Sequence, residues 1–393
     1  MNEYDILKHH FGYSEFRYPQ KEIIDSILKR QDTIAILPTG GGKSITYQVP
    51  ALLLDGITII VTPLISLMED QVLSLKKRGI SAEYINSNLS FEEQKNLCLK
   101  LCMGKLKLLY LSPERLKSKL FLHYIHKTVV SLIAIDEAHT ISWADSFRRE
   151  YGHIKDFIAS ISIRPTILAV TATATPQTIE LIQTSLSLEH PIVFSKSVDR
   201  KELFYQVIKI ENKIRFIKQY LKQHIEQKGI IYCLTRRSVE NLSKVLFSLG
   251  IKNYIYHGGL DTNIKDENQE KFKQEESGVM IATNAFGMGI DISNIRYVIN
   301  YEIPSSIEDL VQQMGRASRD GKGGDGIVLF SFKDIQTIHY FIENLETETA
   351  KKNHKKQLKK VIEYCTMHKC RHQFISSYFK QNIEKCKNKC DNC

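Results

Sequence analysis

Short runs of Ile, Val and Leu, apolar on successive residues and each closed by a polar or glycine-rich turn, recur along the chain in two series. A strand that is apolar on consecutive residues hides both faces, as strands do in a parallel sheet covered by helices on either side. The first series comprises Thr33 to Leu37, Thr58 to Val61, Lys107 to Leu111, Leu132 to Ile135 and Ile167 to Val170. The second comprises Gly229 to Cys233, Tyr254 to Tyr256, Val279 to Ala282, Tyr297 to Asn300 and Ile327 to Phe330. Helix-length segments lie between them, so the pattern predicts two doubly wound α/β sheets, whose ligands sit beyond the carboxyl ends of the strands.

The first series ends near Thr175 and Pro176, with one more helix to about Leu188, which places a short linker around Lys196 to Glu202. After Phe332 the strand pattern stops, and Leu358, Val361, Ile362, Phe374, Ile375 and Tyr378 recur at roughly helical spacing. The expected organisation is an α/β domain over residues 1–196, a second over 197–334 and a small helical piece over 335–393. A chain of 393 residues is long enough for each α/β domain to bury its own core.

The chemistry concentrates where strands end. Thr33 to Leu37 is followed by Pro38, Thr39, Gly40, Gly41, Gly42, Lys43 and Ser44, with a helix expected to begin near Ser44. Glycines let backbone N–H groups turn onto phosphate oxygens, the helix N-terminus adds positive potential, Lys43 reaches the β and γ phosphates, and Ser44 ligates Mg2+. The general phosphate-loop pattern has glycine where this chain has Leu37. The strand ending at Ile135 runs into Asp136-Glu137-Ala138-His139. Asp136 is placed to hold Mg2+ and Glu137 to orient the attacking water; alone, such residues more often cap the next helix. In the second series Arg316 and Arg319 stand three apart, so one helical turn would aim both at a triphosphate, although an isolated pair of this kind is more often a surface ion pair with Asp320.

Cys370, Cys386, Cys390 and Cys393 are spaced to wrap one tetrahedral Zn2+, with His368 and His372 as fallback ligands and Cys365 nearby but less well placed. Cys98, Cys102 and Cys233 read as small core or surface residues. The formal charge of +10 and pI near 9.0 point to a polyanionic partner or to a solvated lysine surface. No apolar stretch has the length and continuity of a membrane span, and no basic start followed by an apolar core marks a secretory leader, so an intracellular place, cytoplasmic or nuclear, is expected.

In this order the elements resemble a superfamily-two helicase, and further segments narrow the resemblance to the RecQ family. The segment Phe11 to Gln20 is similar to the family's adenine-reading motif, which assigns Arg17 and Gln20 to the base. Similarity continues in Val61 to Gln71, Leu111 to Arg115, Thr171 to Ala174 and Ala282 to Asp291. Thr140 to Tyr151 resembles the family's aromatic-rich loop, in which Trp143 and Phe147 would stack beside unpaired bases and Arg148 meet a phosphate. That loop is one residue short, lacking a glutamine before Trp143, and has Asp145 where a histidine is common.

The resemblance implies two RecA-like domains followed by a helical zinc-binding subdomain, with ATP, Mg2+ and Zn2+ as cofactors. It implies 3′ to 5′ movement on single-stranded DNA and opening of forked duplexes, in repair, recombination or replication. The two lobes would share one ATP through Lys43, Ser44, Asp136, Arg316 and Arg319. Longer members continue past the counterpart of Cys393 into a winged helix and a further C-terminal (HRDC) domain, so weak unwinding, or a protein partner supplying strand separation, is expected. An RNA helicase of the wider superfamily, and a zinc-stabilised scaffold that binds nucleic acid without turnover, are the rival readings.

Overall fold

The computed structural model describes residues 2–38, 40–63, 65–86, 88–142, 145–287 and 292–393, apart from the side chains of residues 66, 142 and 145–151. The chain divides into two compact units, Met1–Ser197 and Val198–Cys393.

In the first unit β1 (Thr33–Ile36), β2 (Ile57–Val61), β3 (Ala82–Ile85), β4 (Leu108–Leu111), β5 (Val130–Ile135), β6 (Thr166–Thr171) and β7 (Ile192–Ser195) form one sheet in the order β3-β4-β2-β5-β6-β1-β7. All its pairings are parallel. Alternate residues enter opposite cores: Ile34, Ile59, Ile133 and Ile135 on one face, Ala35, Ile60, Leu132 and Leu168 on the other. Each fully buried Ile or Leu contributes about 1.5–3 kcal/mol, which is why these strands are apolar throughout. Parallel pairing also brings every carboxyl end to one edge of the sheet. With β6 lying between β5 and β1, the turns after all three meet there, and these carry Asp136-Glu137, Thr171 to Ala174, and the glycine loop.

The second unit repeats the plan with β8 (Leu203–Lys209), β9 (Lys228–Tyr232), β10 (Asn253–Tyr256), β11 (Gly278–Ala282), β12 (Ile295–Asn300) and β13 (Gly324–Phe330), ordered β10-β11-β9-β12-β13-β8 and parallel throughout. All ten strands read from the sequence are present; β3, β7 and β8 were not among them. Those three lie at sheet edges.

Three helices follow the second sheet: Phe332–Glu343, Glu348–Thr366 and Arg371–Tyr378. Ile338, Leu358, Val361, Tyr364 and Ile375 from these helices join Val298, Met314, Val328 and Phe330 in a single core. The last residues then cover the exposed edge of β8. Tyr205 N–H donates to Lys389 O at 3.0 Å, Asp391 N–H to Tyr205 O at 3.1 Å, and Val207 N–H to the Asp391 carboxylate at 2.9 Å. An unpaired strand edge is a template for aggregation, and the tail occupies part of it. Among the described residues no helix is long and apolar enough to cross a membrane.

Candidate active site and metal centre

The glycine loop leaves β1 and enters the helix Ile45–Leu53, which starts directly after Ser44 as expected. Gly40 and Gly42 have φ of +79° and +72°, a region that side-chain-bearing residues rarely adopt. Gly42 has no room for a side chain either, since a Cβ there would lie 2.3 Å from Gln20 Nε2. Gln20, buried, donates from Nε2 to Gly41 O at 3.2 Å and Gly42 O at 3.1 Å. Arg17 donates to Gly40 O at 3.1 Å, and its own N–H bonds Gln20 Oε1 at 2.8 Å. Arg17 and Gln20 therefore grip the loop itself. Thr39 lies outside the described residues. Gly42→Ala adds left-handed strain and displaces Gln20, together about 1–3 kcal/mol. The melting temperature of the first unit is expected to fall by roughly 2–12 °C; an unchanged melting temperature would show that the loop tolerates the side chain.

Lys43 Nζ donates to Glu137 Oε1 at 3.0 Å, the two side chains being 15% and 8% exposed. Glu137 sits at φ +50°, immediately past the end of β5. Behind it His139 Nδ1 is 3.4 Å from Glu137 Oε2 and 2.9 Å from Thr171 Oγ1, and the Thr171 hydroxyl donates to Thr173 O at 3.0 Å. A polar chain thus runs from Lys43 through Glu137 and His139 to the turn after β6.

Asp136 is 5% exposed and accepts from Glu137 N–H at 2.9 Å and, on its other oxygen, from the Tyr47 hydroxyl at 3.4 Å. Tyr47 also hydrogen-bonds Ser44, so Ser44 and Asp136 converge on one buried phenol. Burial first, and then the neighbouring Glu137 charge, push the Asp136 carboxyl up to about 6, with Lys43 opposing. A hydroxyl and a carboxylate, hard oxygen donors that both reach Tyr47, in a site that penalises an uncompensated carboxylate, are donors of the kind Mg2+ takes. Tyr47 was not singled out from the sequence. Its signal is spacing alone, three residues after Ser44 and so on the same helical face.

In the second unit the expected helical turn for Arg316 and Arg319 is not formed. The helix Ile307–Met314 ends before them, and Ser318 at φ +54° turns the chain left-handed, so the two side chains do not follow helical spacing. Arg316 is buried and donates to Gly287 O, its Nε has no hydrogen-bond partner among the described residues, and Arg319 is half-buried. Gln313 bonds both Asn300 and Asn284, so this segment is seated on the turn after β11. Asp320 pairs with Arg296. Trp143, and the side chains of Phe147 and Arg148, lie outside what is described of the chain.

The sulfurs of Cys370, Cys386, Cys390 and Cys393 all lie within 4.8 Å of one another. Tetrahedral Zn2+ with Zn–S near 2.3 Å requires such a clustering, so the residues fit the metal. Burial pushes the Cys370 thiol up, but N–H groups of Gln373 and Cys386 and the neighbouring thiols outweigh it and bring it down to about 7, easing thiolate formation. Arg371 clasps the cluster by donating to Tyr364 O at 2.7 Å and to Asp391 at 2.9 Å. Cys365 is buried in the shared core, and of the fallback ligands His372 faces Asp199 at 2.6 Å, while His368 is not among the clustered ligand atoms.

Residues 17–182 match a DEAD/DEAH box helicase family, 212–321 the helicase conserved C-terminal domain and 332–393 the RecQ zinc-binding family. Over 390 residues the chain is 41% identical to an ATP-dependent DNA helicase RecQ of Bacillus subtilis, covering 99% of this chain and 66% of that protein. Over 336 residues it is 38% identical to an ATP-dependent DNA helicase RecQ of Synechocystis, covering 83% and 70%. It spans 62 to 66% of the length of the RecQ proteins of Bacillus subtilis, Pasteurella multocida and Haemophilus influenzae. Among solved structures it resembles the DUF1998 helicase MrfA bound to DNA, with TM-score 0.72, 16% identity and coverage of 98% and 60%. It also resembles Mss116p bound to ssRNA and AMP-PNP, with TM-score 0.73, 19% identity and coverage of 88% and 76%. At those identities the likeness concerns the fold.

Proposed function

Because the chain belongs to the RecQ family of helicases, we propose that it is an ATP-dependent DNA helicase, coupling ATP hydrolysis to 3′ to 5′ movement on single-stranded DNA and to opening of forked duplexes. The observation that carries this reading is the Lys43–Glu137 pair beside Asp136, set on a glycine loop at the carboxyl edge of a parallel sheet.

Gly40, Gly41 and Gly42 would wrap the phosphates, while Arg17 and Gln20, already bonded to the loop, would meet the base and so report its arrival to the phosphate end. Without nucleotide Lys43 is neutralised by Glu137. Phosphate oxygens would draw Lys43 away, leaving Glu137 to orient the attacking water and take up its proton. Ser44 and Asp136 would hold Mg2+, which supplies charge neutralisation at the phosphoryl oxygens when bound. Arg319, the more exposed of the two arginines, would stabilise charge developing on the γ-phosphoryl group, and Arg316 would keep the segment on the Gly287 turn. Trp143, Phe147 and Arg148 would bind the single strand next to the hydrolytic carboxylates.

The raised Asp136 value sets a pH dependence. The folded, ligand-free chain keeps a proton on Asp136 between 3.8 and about 6, so this group's contribution to stability is present below 3.8 and lost as pH rises through 6. A cation binds the deprotonated form, so the sign for binding is opposite. The apparent affinity for Mg2+-ATP is expected to be level above pH 7 and to fall by up to about tenfold per unit below pH 6. A flat profile down to pH 5 would remove Asp136 from the metal site.

The decisive experiment is strand displacement on forked duplexes carrying a 3′ or a 5′ tail, with ATP turnover measured on single-stranded DNA and RNA alongside. The proposal expects unwinding from the 3′ tail, with DNA the better activator. Preference for the 5′ tail refutes the polarity, stimulation by RNA alone refutes the DNA assignment, and no turnover with either nucleic acid refutes the motor.

A further inference from the structure

The turn at residues 315–320 carries both arginines; its N–H groups from Gly315 to Ser318 donate to the carbonyls of Val311, Gln313, Met314 and Ile295, while its own carbonyls are bound by a side chain from far away in the sequence. It follows the end of a helix, where carbonyl groups lose their intrahelical partners, and it passes through the left-handed Ser318 at φ +54°. Such a conformation persists only when its surroundings over-determine it. On the carbonyl side that restraint comes from one side chain of the segment joining the two units. Arg200 donates from Nη1 to Gly315 O at 2.8 Å and from Nη2 to Ala317 O and Ser318 O, both at 3.0 Å, while its Nε bonds Glu202. The guanidinium is a rigid planar fork, so three carbonyls bound to it are fixed relative to one another as a lysine could not fix them. Its side chain is only 11% exposed.

The two residues before Arg200 reach the other way. Val198 N–H donates to Gln381 Oε1 at 3.0 Å. Asp199 Oδ1 lies 2.6 Å from His372 Nδ1, and His372 Nε2 lies 3.1 Å from Lys389 O, the residue before Cys390. The Asp199 and His372 side chains are 7% and 1% exposed. Three consecutive residues therefore bind the cysteine module on one side and the arginine turn on the other.

We propose that Val198-Asp199-Arg200 is a clasp in which Arg200 is a positioning residue for ATP turnover, holding the turn that presents Arg319, and Asp199 anchors that clasp to the cysteine module. This rests on the role given above to Arg316 and Arg319. Nothing in the pattern of residues 196–202 distinguishes Arg200 from a linker cation. Its reach across 115 to 118 positions appears only in the fold.

The test uses the full chain with single-stranded DNA as activator. Arg200→Ala is expected to lower kcat for ATP about 30- to 100-fold, because a misplaced transition-state group loses about that much. KM for ATP and the Kd for DNA should stay within about threefold, since the turn acts on charge that develops late. Millimolar guanidinium should restore part of kcat, with sodium chloride at equal ionic strength inert. Amides 316–321 should exchange hydrogen faster in the variant. A kcat within about threefold of wild type, or a loss confined to KM, overturns the clasp. Should Arg200→Ala not fold, Arg200→Lys is read instead, with the same split between kcat and KM expected and the same results overturning it. Asp199→Asn should quicken exchange both at 316–321 and at 371–378; unchanged exchange overturns the anchor. Arg319→Ala separates the two levels. If it is inactive while Arg200→Ala turns over normally, the clasp alone fails; if it matches wild type, the function assigned to the arginine fails.

Discussion

Lys43→Ala is expected to reduce DNA-stimulated ATP hydrolysis by about a thousandfold while leaving single-stranded DNA binding within a few-fold of wild type. In the proposed mechanism the ammonium follows phosphate charge as it develops, and no second lysine stands in the loop. The variant also removes the positive partner of Glu137, whose side chain is 8% exposed. Breaking a buried ion pair from one side costs about 3–5 kcal/mol, so the first unit should melt earlier as well. Stability and turnover can be separated by the double variant. Lys43→Ala with Glu137→Gln no longer buries an uncompensated carboxylate and should recover most of the lost melting temperature, yet remain as inactive as the single variant. Near-normal turnover in Lys43→Ala, or recovery of turnover together with melting temperature in the double variant, would refute the catalytic assignment.

How far the sequence foretells this molecule depends on which physical constraint each residue answers to. Strands with neighbours on both sides must be apolar on successive residues, and β1, β2, β4, β5, β6, β9, β11, β12 and β13 carry that mark. The missed strands are bordered on one side only. β7 reads Ile-Val-Phe-Ser with most of its side chains exposed, β3 mixes Glu83 and Tyr84 between buried ends, and β8 alternates toward Lys209. Edge strands tolerate polar residues because one face or one flank meets water, so the buried-strand pattern misses three of the four and finds only β10, through Tyr254 to Tyr256.

The glycine loop, Lys43, Asp136-Glu137 and the four cysteines were legible because close spacing in sequence imposes closeness in space. Arg316 and Arg319 were legible as residues and misread as geometry, since helical spacing was assumed past Met314, where the helix has ended. Tyr47, His139, Asp391 and Arg200 were given no role. Each acts through a partner 20 to 118 positions away, and local pattern carries no record of such pairs.

Stripping Zn2+ with a chelator, or replacing Cys390 by serine, is expected to unfold the cysteine module and carry much of the second unit with it. The helices 332–343, 348–366 and 371–378 share one core with the second sheet, so the module cannot loosen without opening that core. Residues 389–391 also form the hydrogen bonds that cover β8 at Tyr205 and Val207, and these would be released together with Cys390. A structural Zn2+ site contributes on the order of 10 kcal/mol, and at about 2–4 °C per kcal/mol for a unit of this size the melting temperature should fall by roughly 20 °C or more. Thermal melting with and without chelator, paired with a colorimetric count of released zinc, measures the effect. Hydrogen exchange then locates it. Amides of β8 and of the helix Arg371–Tyr378 should lose protection while β1 and β5 of the first unit keep theirs. If zinc leaves and neither the melting temperature nor the exchange of β8 changes, the apolar core alone holds the second unit, and the four thiolates do not stabilise its fold.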